Sequence, residues 1–243
     1  MRLLILMIYS DNDPSYVKMR EIQRKYINKY ENVDSYFIQS SYLHNEEVYI
    51  ENDMCYVRSP EEHYSILYKT LSSLDCLTNF FKKEYDFVIR SNISTIINIP
   101  KLINLLQPYI NIKFLYGGDI CGVTRFDKSI RFALGTCIVL SKFLYKKMTH
   151  ELNKFTDKIE DDVAIGLYIE ENIPNAFNHN FSIAPFVFYS INLKNGWNST
   201  YKDFIEYFIE NPDLFNNNIC FRNKTNDRNE DIKMMDFISD KII

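Results

Sequence analysis

The sequence predicts an α/β fold: a single domain over residues 1–243, with a mostly parallel central sheet flanked by helices. Three observations predict it. Apolar runs rich in β-branched and aromatic residues recur at 2–9, 33–39, 86–90 and 112–116. Between them lie segments whose apolar residues repeat at spacings of three and four, as a helix with one buried face requires. The links between the two kinds of segment are short, which suits helices packed back onto a parallel sheet.

The first strand, 2–9, carries an apolar run of only eight residues and meets Ser10 and Asp11 at once, so it reads as a buried strand and not a signal peptide. A helix starts at Pro14, a residue suited to a first turn, with Val17, Ile22, Tyr26 and Ile27 as its apolar stripe. Residues 33–39 form a second strand. Residues 47–57 alternate around Asn52 and Asp53, a hairpin pattern. A long helix is expected over 61–83. Ser59 and Pro60 would open it, and Glu61 and Glu62 suit its positive end. Tyr64, Leu67, Leu71, Leu74, Leu77 and Phe81 would be its buried stripe. A strand at 86–90, a helix at 99–106 and a strand at 112–116 follow, and Gly117, Gly118 and Gly122 mark a bend. The second half predicts a strand at 135–140, a helix capped by Ser141, a helix at 161–171 and a strand at 181–189. A helix at 201–210, a strand at 218–222 and a last helix from Asn229 complete it.

Composition narrows the function. Net charge is −4 with no long basic run, which argues against a nucleic-acid surface. The five cysteines are scattered, without a C-x-x-C pair, which argues against a disulfide framework or a zinc site and fits a reducing, cytoplasmic setting. No run of about 18 apolar residues exists to span a membrane. None of the six glycines precedes Gly117. A Rossmann fingerprint or P-loop therefore cannot be built in the first half, and any nucleotide there must be gripped by side chains. His44, His63, His150 and His179 stand apart, with no metal-ligand spacing.

Open α/β sheets bind ligands beyond the carboxyl ends of their strands. Three such ends are polar: Ser10 to Asp13, then Arg90, Ser91, Asn92 and Ser94, then Gly117, Gly118 and Asp119. A second candidate is KIEDDVAIG, where Glu160, Asp161 and Asp162 precede an apolar helical run. Carboxylates stabilise helix starts, and one held there can also act as a general base. A third is CFRNKTNDRNED, which sets Arg222, Lys224 and Arg228 after a strand, suited to phosphate oxygens.

In this order the segments YSILYKTLSSLDCL, YDFVIRSNIS, FALGTCIVLSKFLYKKM and IEDDVAIGLYI resemble the Fringe and β-1,3-galactosyltransferase group of glycosyltransferases. The likeness covers roughly residues 60–170. The opening and closing segments look still more like glycosyltransferases of giant viruses and some bacteria. The resemblance implies a GT-A-like fold, with 1–116 as the nucleotide-binding half and 117–243 as the acceptor and catalytic half. It implies a nucleotide-sugar donor, a UDP-sugar or similar, and a glycan or protein-glycan acceptor. Asn92, Ile93 and Ser94 fall on the family's three aspartates, the last of which binds a divalent metal there. Mn²⁺ or Mg²⁺ is thus implied by the family, while the serine points to metal-independent binding. Asp162 falls on the base of the inverting members, and a shift of one residue in the alignment puts Asp161 there instead. Lys69, Arg90 and Ser91 fall near the donor, and Tyr9, Ser10 and Asp11 where the fold meets base and ribose. Gly117, Gly118, Asp119 and Gly135 fall on the acceptor side. Arg222, Lys224 and Arg228 are expected to hold the diphosphate. The competing expectations are a catalytically inactive sugar-nucleotide- or glycan-binding protein of the same fold, and an α/β interaction protein with no small-molecule site.

Overall fold

The structure is a computed structural model that describes residues 1–156, 158–173, 181–182 and 187–242. The first half runs β1 (Leu3–Ile8), α1 (Pro14–Ile27), β2 (Val33–Ser40), β3 (Val48–Glu51), β4 (Met54–Val57), α2 (Ile66–Asp75), β5 (Phe87–Asn92), β6 (Thr95–Ile97) and α3 (Ile99–Leu106). Next come β7 (Tyr116–Gly118), β8 (Ile120–Arg125), β9 (Lys128–Ala133), β10 (Cys137–Ser141), α4 (Lys142–His150) and α5 (Asp161–Asn172). The chain then passes through β11 (Phe181–Ser182), β12 (Val187–Tyr189), α6 (Tyr201–Glu210), α7 (Leu214–Asn217), β13 (Cys220–Arg222) and α8 (Arg228–Lys241).

The main sheet has eight strands in the order β11-β7-β10-β5-β1-β2-β4-β3. Only β10 and β3 run against the rest, so the sheet is mostly parallel, as expected. Successive side chains of a strand point to opposite faces. Leu3, Ile5 and Met7 of β1 therefore join one core, with Phe37, Ile89 and Val139. Leu4 and Leu6 join another, with Ile38, Val88 and Ile138. Both faces are covered, which is why these strands are apolar without a break. The first core is roofed by α1, α3, α6 and α8, and the second by α2, α4 and α5. A small sheet, β12-β13-β6, lies on the first side.

Several elements depart from the sequence reading. The helix expected over 61–83 begins at Ile66 and passes into a π-helical turn over Cys76–Phe80. Ser59 does not cap it: its hydroxyl pairs with that of Ser40 at 3.1 Å, and Glu61 turns to Lys69. Tyr64 and Phe81, expected in the core, are exposed. The strand placed at 112–116 is shifted to Tyr116–Gly118, so Gly117 and Gly118 lie in a strand and not a bend. A Cβ at Gly118 would come within 2.5 Å of the Ala133 Cβ, and this close approach explains the glycine. The β8–β9 hairpin was not foreseen, because its turn is Phe126–Asp127, both at positive φ, without the glycine that usually marks such turns. The strand expected at 181–189 becomes β11 and β12, in two different sheets, and its residues 183–186 lie outside the described residues.

Candidate functional site

Each wall of the site is set by one element at the carboxyl edge of the sheet. β5 ends there with Arg90, Ser91 and Asn92. β10 runs the opposite way, so the Gly135–Thr136 turn that precedes it arrives at the same edge. α5 begins there with Asp161 and Asp162. β13 pairs with β6 so that Arg222 lies opposite Thr95. Together Arg90, Asn92, Gly135, Asp161, Asp162, Arg222 and Lys224 line one cleft of about 580 Å³.

A buried network forms its floor. Arg90 and Asp161 pair at 2.7 Å, with side chains only 3% and 5% exposed. The same guanidinium donates to the Gly135 carbonyl and to Asn92 Oδ1. Asn92 Nδ2 also donates to the Gly135 carbonyl, at 2.8 Å. A Cβ at position 135 would strike the Arg90 guanidinium, so only glycine lets the turn approach. Truncating either member of such a buried pair leaves an uncompensated charge, a loss of about 3–5 kcal/mol.

Asp162 has a different environment. It is half-buried and faces the cleft. Its Oδ2 accepts the Gly135 N–H at 3.0 Å and its Oδ1 the Val163 N–H at 2.9 Å. Burial, with the neighbouring Asp161 charge, raises its pKa; the two N–H bonds and Arg90 hold back the rise. The result is a fixed carboxylate, more basic than an ordinary aspartate and able to accept a proton in the cleft.

The opposite wall is cationic. Arg222 is half-buried and donates to Ser94 Oγ at 2.5 Å and to Thr95 Oγ1 at 3.5 Å. Among the described residues it makes no ion pair. Burial, then the like charges of Arg228 and Arg90, pull its pKa down to about 10. Lys224 is exposed, with its ammonium 5.6 Å from the centre of the Trp197 ring. Its pKa is lowered by burial of its head group and by Arg222 and Arg228. Among the described residues neither cation has a carboxylate partner within ion-pair distance, so this wall has the chemistry to accept an anion.

Arg228 lies outside the cleft lining, paired with the fully buried Asp231 at 2.8 Å and set over the Tyr16 ring. Lys69 is wholly buried and paired with Glu61 at 2.8 Å. Ser91 is buried and donates to the Thr136 carbonyl. Ser94 is buried against Arg222. Tyr9 is buried, with the Arg20 guanidinium 4.8 Å from its ring centre, while Asp11 is exposed and Ser10 half-exposed beyond the end of β1. Gly117 and Gly118 are buried in β7, and Asp119 accepts the Tyr189 hydroxyl. Glu160, named with the two aspartates in the acidic segment, also lines the cleft, and the sequence reading gives no site role to four further polar or aromatic lining residues, His63, Thr136, Tyr189 and Trp197. Nor does it give one to Gln23, a buried amide on α1 that donates to the Ile93 and Thr95 carbonyls and thereby fixes the backbone on either side of Ser94. Its signal was a polar residue on an apolar helix face. Trp197 could have been singled out as the only tryptophan in the chain.

The residues at the implied metal position do not fit a divalent cation. The side-chain oxygens of Asn92 and Ser94 are neutral, and each already accepts from a guanidinium, Arg90 and Arg222 respectively. A hard cation wants carboxylate oxygens and would be repelled by both arginines.

The sequence matches no protein-family model and no curated protein. Solved structures do resemble it. One is the crystal structure of a glycosyltransferase involved in glycosylation of the major capsid of PBCV-1, at 12% identity, covering 97% of this chain and 99% of that one, with a TM-score of 0.49. Another is the galactosyltransferase LgtC in complex with donor and acceptor sugar analogs, at 11% identity, covering 99% and 95%, with a TM-score of 0.45. A third is the glycosyltransferase GlyE of Streptococcus pneumoniae TIGR4, at 10% identity, covering 98% of this chain and 59% of that one, with a TM-score of 0.41.

Proposed function

We propose that this protein is an inverting glycosyltransferase that moves a sugar from a nucleoside-diphosphate donor to a hydroxyl of a glycan acceptor. One observation carries the reading: a single cleft holds a basic carboxylate, Asp162, facing two unneutralised cations, Arg222 and Lys224. The motif order described from the sequence supports it independently. Asp162 takes the proton of the acceptor hydroxyl, and the freed oxygen attacks the anomeric carbon as the bond to the diphosphate breaks. Charge develops on the departing β-phosphate, where Arg222 and Lys224 meet it. Asp161, committed to Arg90, holds the start of α5 in place and leaves the base role to Asp162. Arginine at Ser94 supplies the positive charge, so donor binding needs no divalent ion.

Release of nucleoside diphosphate from a panel of UDP- and GDP-sugars tests this. Turnover should survive EDTA. Asp162→Asn should lower kcat about 10²–10⁴-fold, the usual worth of a general base, with donor affinity kept. Arg222→Ala should instead weaken donor binding. Strict Mn²⁺ dependence would sink the metal-free part of the proposal. Donor binding without turnover, in the presence of glycan acceptors, would favour an inactive sugar-nucleotide-binding protein.

A further inference from the structure

β3 is the last strand of the main sheet, and among the described residues nothing pairs with its outer edge. Beside it, between β3 and the end of α2, lies a groove of about 520 Å³. Its apolar surface is open to solvent: Phe80 is 77% exposed, Phe81 49% and Leu152 42%. The backbone causes this exposure. The π-helical turn over Cys76–Phe80 widens the helix end, and Lys82 leaves it at a φ of 55°, so both phenylalanines are carried out of the buried stripe. The two rings pack edge to face at 5.1 Å, which holds them as one platform. Clustered apolar exposure of this kind marks interaction surfaces.

The rim selects the partner. Glu46, Glu47 and Asp75 line the groove, and among the described residues no lysine or arginine does. An acidic rim repels the anionic surface of a membrane. A second copy of this chain would bring two acidic rims together, and a β3 pair centred on Tyr49 would set Glu47 against Glu51. We infer that this edge docks a basic, apolar segment of another protein in extended form. The segment adds as a strand to β3; on the one face it turns to the groove, its central apolar side chains rest on Phe80 and Phe81 and its outer lysines or arginines reach Glu46 and Asp75. This surface is separate from the cleft, and the inference stands whether or not the cleft transfers sugar.

The test uses the full chain, labelled with ¹⁵N, and two synthetic peptides, acetyl-KTVTITK-amide, which carries its lysines and its apolar residues on one face, and its charge-reversed partner acetyl-ETVTITE-amide. The basic peptide should bind, slow amide exchange at least tenfold at Val48 and Ile50, whose N–H groups face away from β4, and weaken as salt is raised. The acidic peptide should not bind. Glu46→Lys and Phe80→Ser, both at exposed positions, should each weaken binding at least tenfold with little change in Tm. Binding of neither peptide overturns the inference. So does equal binding of both, or binding that leaves the exchange of the Val48 and Ile50 amides unchanged.

Discussion

Asp161 and Asp162 are neighbours in sequence and differ in every surrounding that matters. Asp161 is ion-paired and buried, while Asp162 faces the cleft with its pKa raised by burial. The native state holds the Asp162 proton more tightly than the unfolded chain does. Its contribution to stability is therefore largest at low pH and is lost as pH rises from the ordinary value of 3.8 through the raised folded value. Activity should follow the opposite course, falling as pH drops through that same value, because a protonated base cannot accept. Paired pH profiles of Tm and kcat, for the parent and Asp162→Asn, check both; a parent rate with no acid-side fall rules out this base.

Arg222 is expected to show the usual trade between stability and function. Its charge is disfavoured in the folded state, so Arg222→Gln should leave Tm unchanged or raised in ligand-free protein. With a nucleoside diphosphate at 100 times its Kd the parent should gain about 2.7 kcal/mol, and the variant little. Thermal melts with and without UDP or GDP read both effects. At this scale the sequence showed residue types but not their partners. Arg222 and Arg228 look alike in CFRNKTNDRNED, and only the fold gives Arg228 its buried Asp231. The Lys69 pair is hidden in the same way: on one regular helix Glu61 lies eight residues from Lys69, out of reach, and only the helix start at Ile66 frees Glu61 to turn back to it.

Among the elements, α5 matters most to the site, since its first turn presents both aspartates. Its position depends on Gly166. A Cβ there would come within 2.5 Å of the Arg131 carbonyl and the Phe132 Cβ on β9. Alanine would gain about 1 kcal/mol of helix propensity. It would also push α5 off the hairpin, an overpacking cost of about 1–3 kcal/mol that falls on backbone as well as side chain. Gly166→Ala should therefore lower Tm by a few degrees and reduce turnover, although it lies more than a turn from either aspartate. An unchanged Tm would show that the hairpin yields freely. α5 was legible because its apolar run follows three acidic residues. The hairpin it leans on was not, because Phe126 and Asp127 make the turn without a glycine.

The whole molecule was legible where burial is two-sided. Unbroken apolar strands such as LLILMI announced a sheet covered on both faces, and two cores lie there. Strand order was not legible, because the reversal of β10 leaves no mark in an apolar strand. That reversal is what brings Gly135 to the carboxyl edge beside Arg90 and Asp162. The other wall is assembled across a much longer stretch of chain: Arg222 meets Ser94 over a separation of 128 residues. A ribosome making this protein therefore completes the Arg90–Asp161 floor well before it adds β13. Until then the nascent chain carries both members of the floor but neither Arg222 nor Lys224, so the cleft gains its cationic wall only when the last stretch of chain is in place.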